Sequence, residues 1–254
     1  MRFLLLLCCA LLAGCASNPP AITQVSTIDA LLASAYDGVM PLGELKAYGA
    51  LGLGTPDHID GELILLDGVG YVARGDGSVA VLSDAETIAF ASVADESEGL
   101  PCTFRDVDFA SFTARADERI GNPNEMVAVR FKGRFSRMGV RSETRQEPPY
   151  RPLAEVMKDC ERRFEYADVE GELVGFRLPP FMKGLNAPGW HLHFLSADRT
   201  KGGHVYGFSA TSLEGSVFSY RRFQTLLPDS GHAFHALDQT LDRSQDLKTV
   251  EGHE

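Results

Sequence analysis

The sequence predicts an α+β protein: two sheet-based units of mixed or antiparallel strands with a few helices packed against them. Three observations carry that prediction. Short apolar runs bounded by Gly, Pro, Asp or Ser recur through both halves of the chain. Apolar residues at helical spacing are confined to a few stretches. A charged, Pro-containing segment at residues 137–152 separates two strand-rich halves, expected as an N-terminal unit at 26–150 and a C-terminal β-rich unit at 151–254.

In chain order, residues 1–14 read as an export signal. Arg2 is their only charge, residues 3–12 form an apolar run, and a small-residue cleavage site follows. That run falls well short of the roughly 20 residues a membrane-spanning helix needs. The ending Leu12-Ala13-Gly14-Cys15 is similar to the lipobox of bacterial lipoproteins, in which the cysteine is lipidated and becomes the new N-terminus. The alternative is an ordinary secretory signal with an incidental Cys15. On the lipobox reading, residues 15–25 are the lipidated cysteine and a tether, and the domain is an exported, membrane-anchored lipoprotein on the periplasmic side or cell surface.

Residues 26–48 carry Ile28, Leu31, Leu32, Tyr36 and Val39 at helical spacing, with Ser26 or Thr27 as N-cap. Residues 62–66, 69–73, 79–82 and 87–94 are apolar segments around the Gly75-Asp76-Gly77-Ser78 turn signal, and read as an antiparallel meander. A helix is expected over 108–120, a strand over 126–135 with Val127, Val129 and Phe131 on one face, and a helix over 153–164. Five further strands are expected between residues 166 and 223. The polar tail from 238 is compatible with either helix or extended chain.

The net charge of −11, from which signal removal takes only Arg2, argues against nucleic-acid binding. Beyond Cys8, Cys9 and Cys15, the cysteines are Cys102 and Cys160. They could pair in an oxidising compartment or remain two isolated buried thiols.

The chemistry concentrates in Gly189-Trp190-His191-Leu192-His193-Phe194-Leu195. On a strand, residues i and i+2 share a face, so His191 and His193 project together while Trp190, Leu192 and Phe194 pack on the opposite side. After a turn-rich link, His204 opens the next strand and can return beside the pair as a hairpin partner. Three neutral imidazoles with an open fourth position are the pattern of a catalytic zinc site, though other divalent first-row ions accept the same ligands. A cupin-like barrel also places His-x-His on a strand, but the glutamate expected after the pair is missing. His58, His232, His235 and His253 lack such spacing and read as ordinary polar residues. Glu62, after Asp60-Gly61 at the head of an apolar strand, reads by itself as a strand-edge charge or a functional carboxylate.

Taken together, Gly52-Leu53-Gly54-Thr55, Leu65-Leu66-Asp67-Gly68, Arg145-Gln146-Glu147-Pro148-Pro149-Tyr150 and Gly189-Trp190-His191-Leu192-His193 resemble the alpha-acetolactate decarboxylases, over nearly all the chain from about Ser26. The resemblance implies that His191, His193 and His204 are metal ligands, zinc being favoured, and that Glu62 is the strand-borne catalytic glutamate. It implies an active-site threonine at Thr55, for which a turn-stabilising hydroxyl is the alternative. It places the active-site arginine at Arg141, with Arg145 the competitor, and a C-terminal glutamate at Glu251, with Glu254 the competitor. It further implies a homodimer, a small 2-hydroxy-3-oxo acid substrate, and decarboxylation of 2-acetolactate to acetoin and carbon dioxide without an organic cofactor. Two readings of other classes stand beside it: a non-catalytic periplasmic metal-binding or sensing lipoprotein, and a zinc hydrolase that attacks with a metal-activated water.

Overall fold

The computed structural model describes residues 20–96 and 98–252. The signal, Cys15 and the competing Glu254 therefore lie outside the described residues. Two sheets hold the molecule. The first contains β1 (Ile22–Val25), β2 (Met40–Pro41), β3 (Leu51–Pro56), β4 (Glu62–Leu66), β5 (Val69–Ala73), β6 (Val79–Val81), β7 (Thr87–Ala94) and a late strand, β13 (Phe223–Leu226), in the order β13-β1-β7-β3-β4-β5-β6, with β2 on β7. The second contains β8 (Leu100–Asp108), β9 (Met126–Glu143), β10 (Glu161–Leu178), β11 (Gly189–Ser196) and β12 (Gly202–Tyr220), in the order β11-β10-β9-β12-β8. A further β11–β12 pairing closes β9, β10, β11 and β12 into a ring. The helices are α1 (Ile28–Leu32), α2 (Leu42–Leu45), α3 (Phe109–Ile120), α4 (Leu153–Cys160) and α5 (Ser244–Val250).

The α+β expectation holds, and so does the meander of β4, β5 and β6. Thr87–Ala94 does not extend it: β7 lies between β1 and β3, where its almost wholly apolar run is buried on both faces. The expected helix at 26–48 is broken into α1 and α2, separated by an extended segment. Thr27 does cap α1, its hydroxyl accepting from Ala30 N at 3.2 Å. The helix expected over 153–164 ends at Cys160, because the next residues enter the ladder between β9 and β10. The interior of α3 is held at both ends, by a capping box between Asp108 and Ser111 and by left-handed Gly121.

Two boundaries need correction. Ile22–Val25 is no tether but a buried strand hydrogen-bonded to both β13 and β7. Nor do the units divide at residue 150. Residues 137–143 continue β9, which pairs along its length with both β10 and β12, so the backbone ladder of the second sheet crosses the expected boundary. The second sheet starts at Leu100, and β13 and α5 return to the first sheet and its helices.

Side-chain parity organises the interior. Val127, Val129, Phe131, Leu173, Leu192, Phe194 and Val205 turn into one core, into which α3 packs Phe112. The opposite face of this sheet, through Ala128, Val174, Phe176 and Leu195, meets Leu51, Leu53, Ile64 and Leu66 of the first sheet. Leu63, Leu65, Val72, Ile88 and Val93 line the far side of the first sheet. At one end of the inter-sheet layer, α1, α4 and α5 close over Tyr36, Ile59 and Phe90.

Candidate metal centre

The same parity builds the site. In β11, Trp190, Leu192 and Phe194 face the second sheet's own core, so His191 and His193 face the inter-sheet layer, as expected from the His-x-His spacing. His204 stands directly opposite His193 in the β11–β12 pairing, and Arg141 of β9 stands directly opposite His204 on its other side. One rung across three adjacent strands thus carries His193, His204 and Arg141. From the first sheet, Leu51 and Leu53 of β3 point into the layer, so Thr55 does too; Ile64 and Leu66 of β4 do the same for Glu62. Two glycines permit this approach. A Cβ on Gly54 would stand 2.1 Å from the Phe90 carbonyl oxygen, and one on Gly203, at φ +142°, would stand 2.5 Å from the Arg141 carbonyl oxygen.

His191, His193 and His204 are buried, and each can offer a nitrogen within 4.8 Å of the others'. The ring centroids lie 4.7 to 5.4 Å apart. His193 Nδ1 lies 2.8 Å from the Leu63 carbonyl oxygen, an acceptor only, so that nitrogen carries the proton and Nε2 keeps its lone pair. Nε2 is itself buried and, among the described residues, has no hydrogen-bond partner. Burial, with His191 adding to it, holds the His193 imidazole well below its ordinary titration range, in the neutral form a metal requires. Arg141 Nη2 lies 3.0 Å from His204 Nε2; a guanidinium only donates, so this nitrogen accepts the bond and carries no proton of its own. The donor set fits a divalent first-row cation.

Carboxylates surround the triad. Glu62 Oε2 is 3.3 Å from His193 Nε2, and Oε1 is 3.9 Å from His204 Nδ1. Glu251, just past α5, places Oε2 3.7 Å from His204 Nε2 and 4.0 Å from His191 Nδ1. It is delivered there because Val250 and Leu247 pack with Val156 and Met157 of α4. Burial, and then the neighbouring Glu143, push Glu62 well above the ordinary carboxylate range against the pull of Arg141.

The structure thus brings Glu62, Arg141, Glu251 and the three histidines together. Arg145 is elsewhere, exposed and paired with Glu147 at 2.9 Å. Thr55 lines the same cavity, but its hydroxyl donates to the Gly61 carbonyl at 2.8 Å, which ties the β3–β4 turn directly ahead of Glu62. Cys102 and Cys160 are two free, buried thiols.

The sequence reading missed Glu143. It sits two residues after Arg141 on the same face of β9, is 7 % exposed, and lines the cavity beside Glu62. Its signal is Arg141-Ser142-Glu143, two charges at alternating positions, obscured because the charged, Pro-containing stretch 137–152 marks a boundary in the sequence. The loop after it has a structural task. His58 Nδ1 lies 2.8 Å from Tyr150 Oη and 3.0 Å from the Gln146 carbonyl, and Tyr150 donates to Asp37 Oδ1 at 2.8 Å. The Gln-Glu-Pro-Pro-Tyr segment is thereby latched to the turn that follows Thr55.

The model of the alpha-acetolactate decarboxylase family matches residues 22–240. The chain belongs to this family. It is therefore a decarboxylase, a carboxy-lyase. Among curated relatives, the alpha-acetolactate decarboxylase of Methanosarcina mazei is 39 % identical over 90 % of this chain and 79 % of its own. That of Methylococcus capsulatus is 37 % identical over 89 % and 85 %. Among solved structures, the alpha-acetolactate decarboxylase of Bacillus subtilis strain 168 superposes with a TM-score of 0.88 at 29 % identity, covering 91 % of this chain and 99 % of its own. The match spans both sheets and takes in Glu62, Arg141 and the three histidines, while Glu251 lies beyond it.

Proposed function

We propose that the protein decarboxylates 2-acetolactate to acetoin and carbon dioxide at a divalent metal, zinc being favoured, held by His191, His193 and His204. One observation carries this reading: a buried group of three histidines is enclosed by a guanidinium on one side and by carboxyl groups on the other. A cation held by three neutral ligands keeps its positive charge and supplies Lewis-acid stabilisation to an oxygen gaining negative charge.

The chain's own residues do the rest. Arg141 is buried, its Nη1 reaches Glu161 at 3.3 Å, and among the described residues its Nε has no hydrogen-bond partner, so Nε offers a donor to the substrate carboxylate. As the bond to the carboxylate carbon breaks, CO₂ leaves and the electron pair moves into the ketone, giving an enediolate. Glu62, whose carboxyl burial pushes well above the ordinary range, transfers a proton to the carbon that lost CO₂; solvent then restores that proton. Delivery from one fixed side determines the handedness of the acetoin. Glu251 adds a second carboxyl at the opposite edge of the triad.

A zinc-loaded preparation given racemic acetolactate is expected to release acetoin, and Arg141→Lys is expected to lower kcat/KM by about 100-fold, as an ammonium cannot reproduce the guanidinium fork. Full metal loading without acetoin would refute the decarboxylase reading. Such a protein would be left as a metal carrier, or as a hydrolase if it turned over generic esters.

Export and anchoring rest on residues 1–15 alone. Among the described residues, no helix is long and apolar enough to cross a membrane. A lipid on Cys15 makes the chain partition into detergent after export, and Cys15→Ser abolishes that partitioning. The family resemblance supports a homodimer, which light scattering of the mature chain will read directly.

A further inference from the structure

We propose that His58 is a positioning residue: its imidazole ties together three segments that wall the cavity beside the histidine triad, and so fixes the turn from which Glu62 emerges. This inference rests on the decarboxylase reading and assigns a task within it. The wall comes from distant parts of the chain. Ile28 and Leu31 belong to α1, Ile59 and Glu62 to the turn after β3 and the strand it feeds, and Leu153 and Met157 to α4. His58 stands where their connections meet. Its Nδ1 lies 3.0 Å from the Gln146 carbonyl oxygen and 2.8 Å from Tyr150 Oη, in the loop that leads into α4. Tyr150 donates in turn to Asp37 Oδ1 at 2.8 Å, in the segment that leaves α1. Nε2 faces Asp57 Oδ2 at 3.2 Å, and Asp57 Oδ1 accepts from Gly38 N at 2.7 Å. The backbone repeats the pattern, His58 N donating to the Tyr36 carbonyl at 2.8 Å and Gln146 N to the His58 carbonyl at 2.9 Å.

The direction of the side-chain bonds follows from their acceptors. A carbonyl only accepts, so Nδ1 carries a proton, and Tyr150 Oη accepts from it while donating to Asp37. The chain of bonds therefore runs one way, from the turn through the loop to the end of α1, and holds each member in a single orientation. His58 also sits at φ +61°, a left-handed conformation that persists in a non-glycine residue where its surroundings over-determine it. That step, followed by Ile59 at φ +48°, reverses the chain and turns Ile59 into the cavity three residues before Glu62. Thr55 ties the Gly61 end of this turn, and His58 ties the other. Held at one end only, the turn would pivot, and a shift of about 1 Å at a reacting group is enough to cost about 100-fold in rate.

The test compares His58→Gly, His58→Asn and Tyr150→Phe, reading metal content, kcat, KM and the enantiomeric excess of the acetoin. Glycine adopts the same φ freely, so it deletes the imidazole without straining the turn. It is expected to lower kcat by about 10- to 100-fold, to leave KM and metal content within about three-fold, and to erode the enantiomeric excess. Asparagine tolerates the left-handed backbone and places an amide N–H near the position of Nδ1, so it is expected to bring kcat back to within about five-fold of wild type and to restore the enantiomeric excess. Tyr150→Phe cuts only the step to Asp37 and is expected to fall between the two. If the wild type makes acetoin and the glycine variant matches it in rate and handedness, His58 positions nothing. Losses that track metal content, or that asparagine does not recover, also overturn the inference: the first mark damage to the fold, the second a role in which the Nδ1 donor has no part. A wild type that makes no acetoin defeats the decarboxylase reading, and this inference with it.

Discussion

Glu143 and Cys160 show how burial alone changes the chemistry of a side chain. Burial raises the Glu143 carboxyl to about 7 although Arg141 opposes the change. Its folded titration point therefore lies above the unfolded value of roughly 4.5, so the native state holds a proton that the unfolded chain releases between the two. Stability from this group is complete below about pH 4.5 and is lost as the pH rises through about 7. Glu143→Gln removes that loss, so in metal-free protein it should raise the melting temperature more at pH 8 than at pH 5; an equal shift at both would contradict the burial argument. Cys160 is 3 % exposed and its thiol is pushed up to about 12, chiefly by burial and then by the nearby Glu143. The thiolate is the reactive form. Iodoacetamide at pH 8 should therefore leave Cys160 unmodified in native protein and label it fully in urea, which mass spectrometry of tryptic peptides will show.

Between elements, the two sheets are joined by apolar packing and, away from the histidines, by a charged cluster. Arg130 of β9 bonds Asp67 in the β4–β5 turn at 2.7 Å, Glu96 at 2.9 Å and Glu172 of β10 at 2.8 Å, and Arg199 adds a contact to Glu172 at 2.9 Å. Glu172 is buried, and losing Arg130 leaves it with Arg199 and the more distant Lys132 while Asp67 and Glu96 lose their shared cation. Arg130→Ala should cost about 3 kcal/mol in urea unfolding, and a much smaller loss would show the sheets to be held by the apolar layer alone. Most elements were legible because their patterns are local. Alternation in Trp190-His191-Leu192-His193-Phe194 marked both the strand and the face carrying the two histidines, and the cap of α1 followed from Thr27. The misread elements are those whose state depends on distant partners. Residues 137–143 look like a charged linker until β10 and β12 pair with them, and Ile22–Val25 looks like tether until β13 and β7 flank it.

The molecule as a whole is one interleaved unit, because β9 pairs with β10 and β12 across residue 150 and β13 returns to β1. Separate fragments 26–150 and 151–254 would each expose half of that ladder and half of the inter-sheet layer. Each should give collapsed amide dispersion in NMR spectra; a well-dispersed spectrum from either would reinstate the boundary. By itself the sequence determined the spacing of the three histidines, the strand that presents two of them and the family. Those properties are written in short spacings, two residues along a strand and one turn to the next, where backbone geometry leaves little choice. Only the tertiary structure decided between Arg141 and Arg145 and admitted Glu143. It also delivered Glu251, which reaches the triad because Val250 is buried against α4. These are contacts between residues far apart in the chain, selected by sheet register and by which face each strand buries, and no local pattern encodes either.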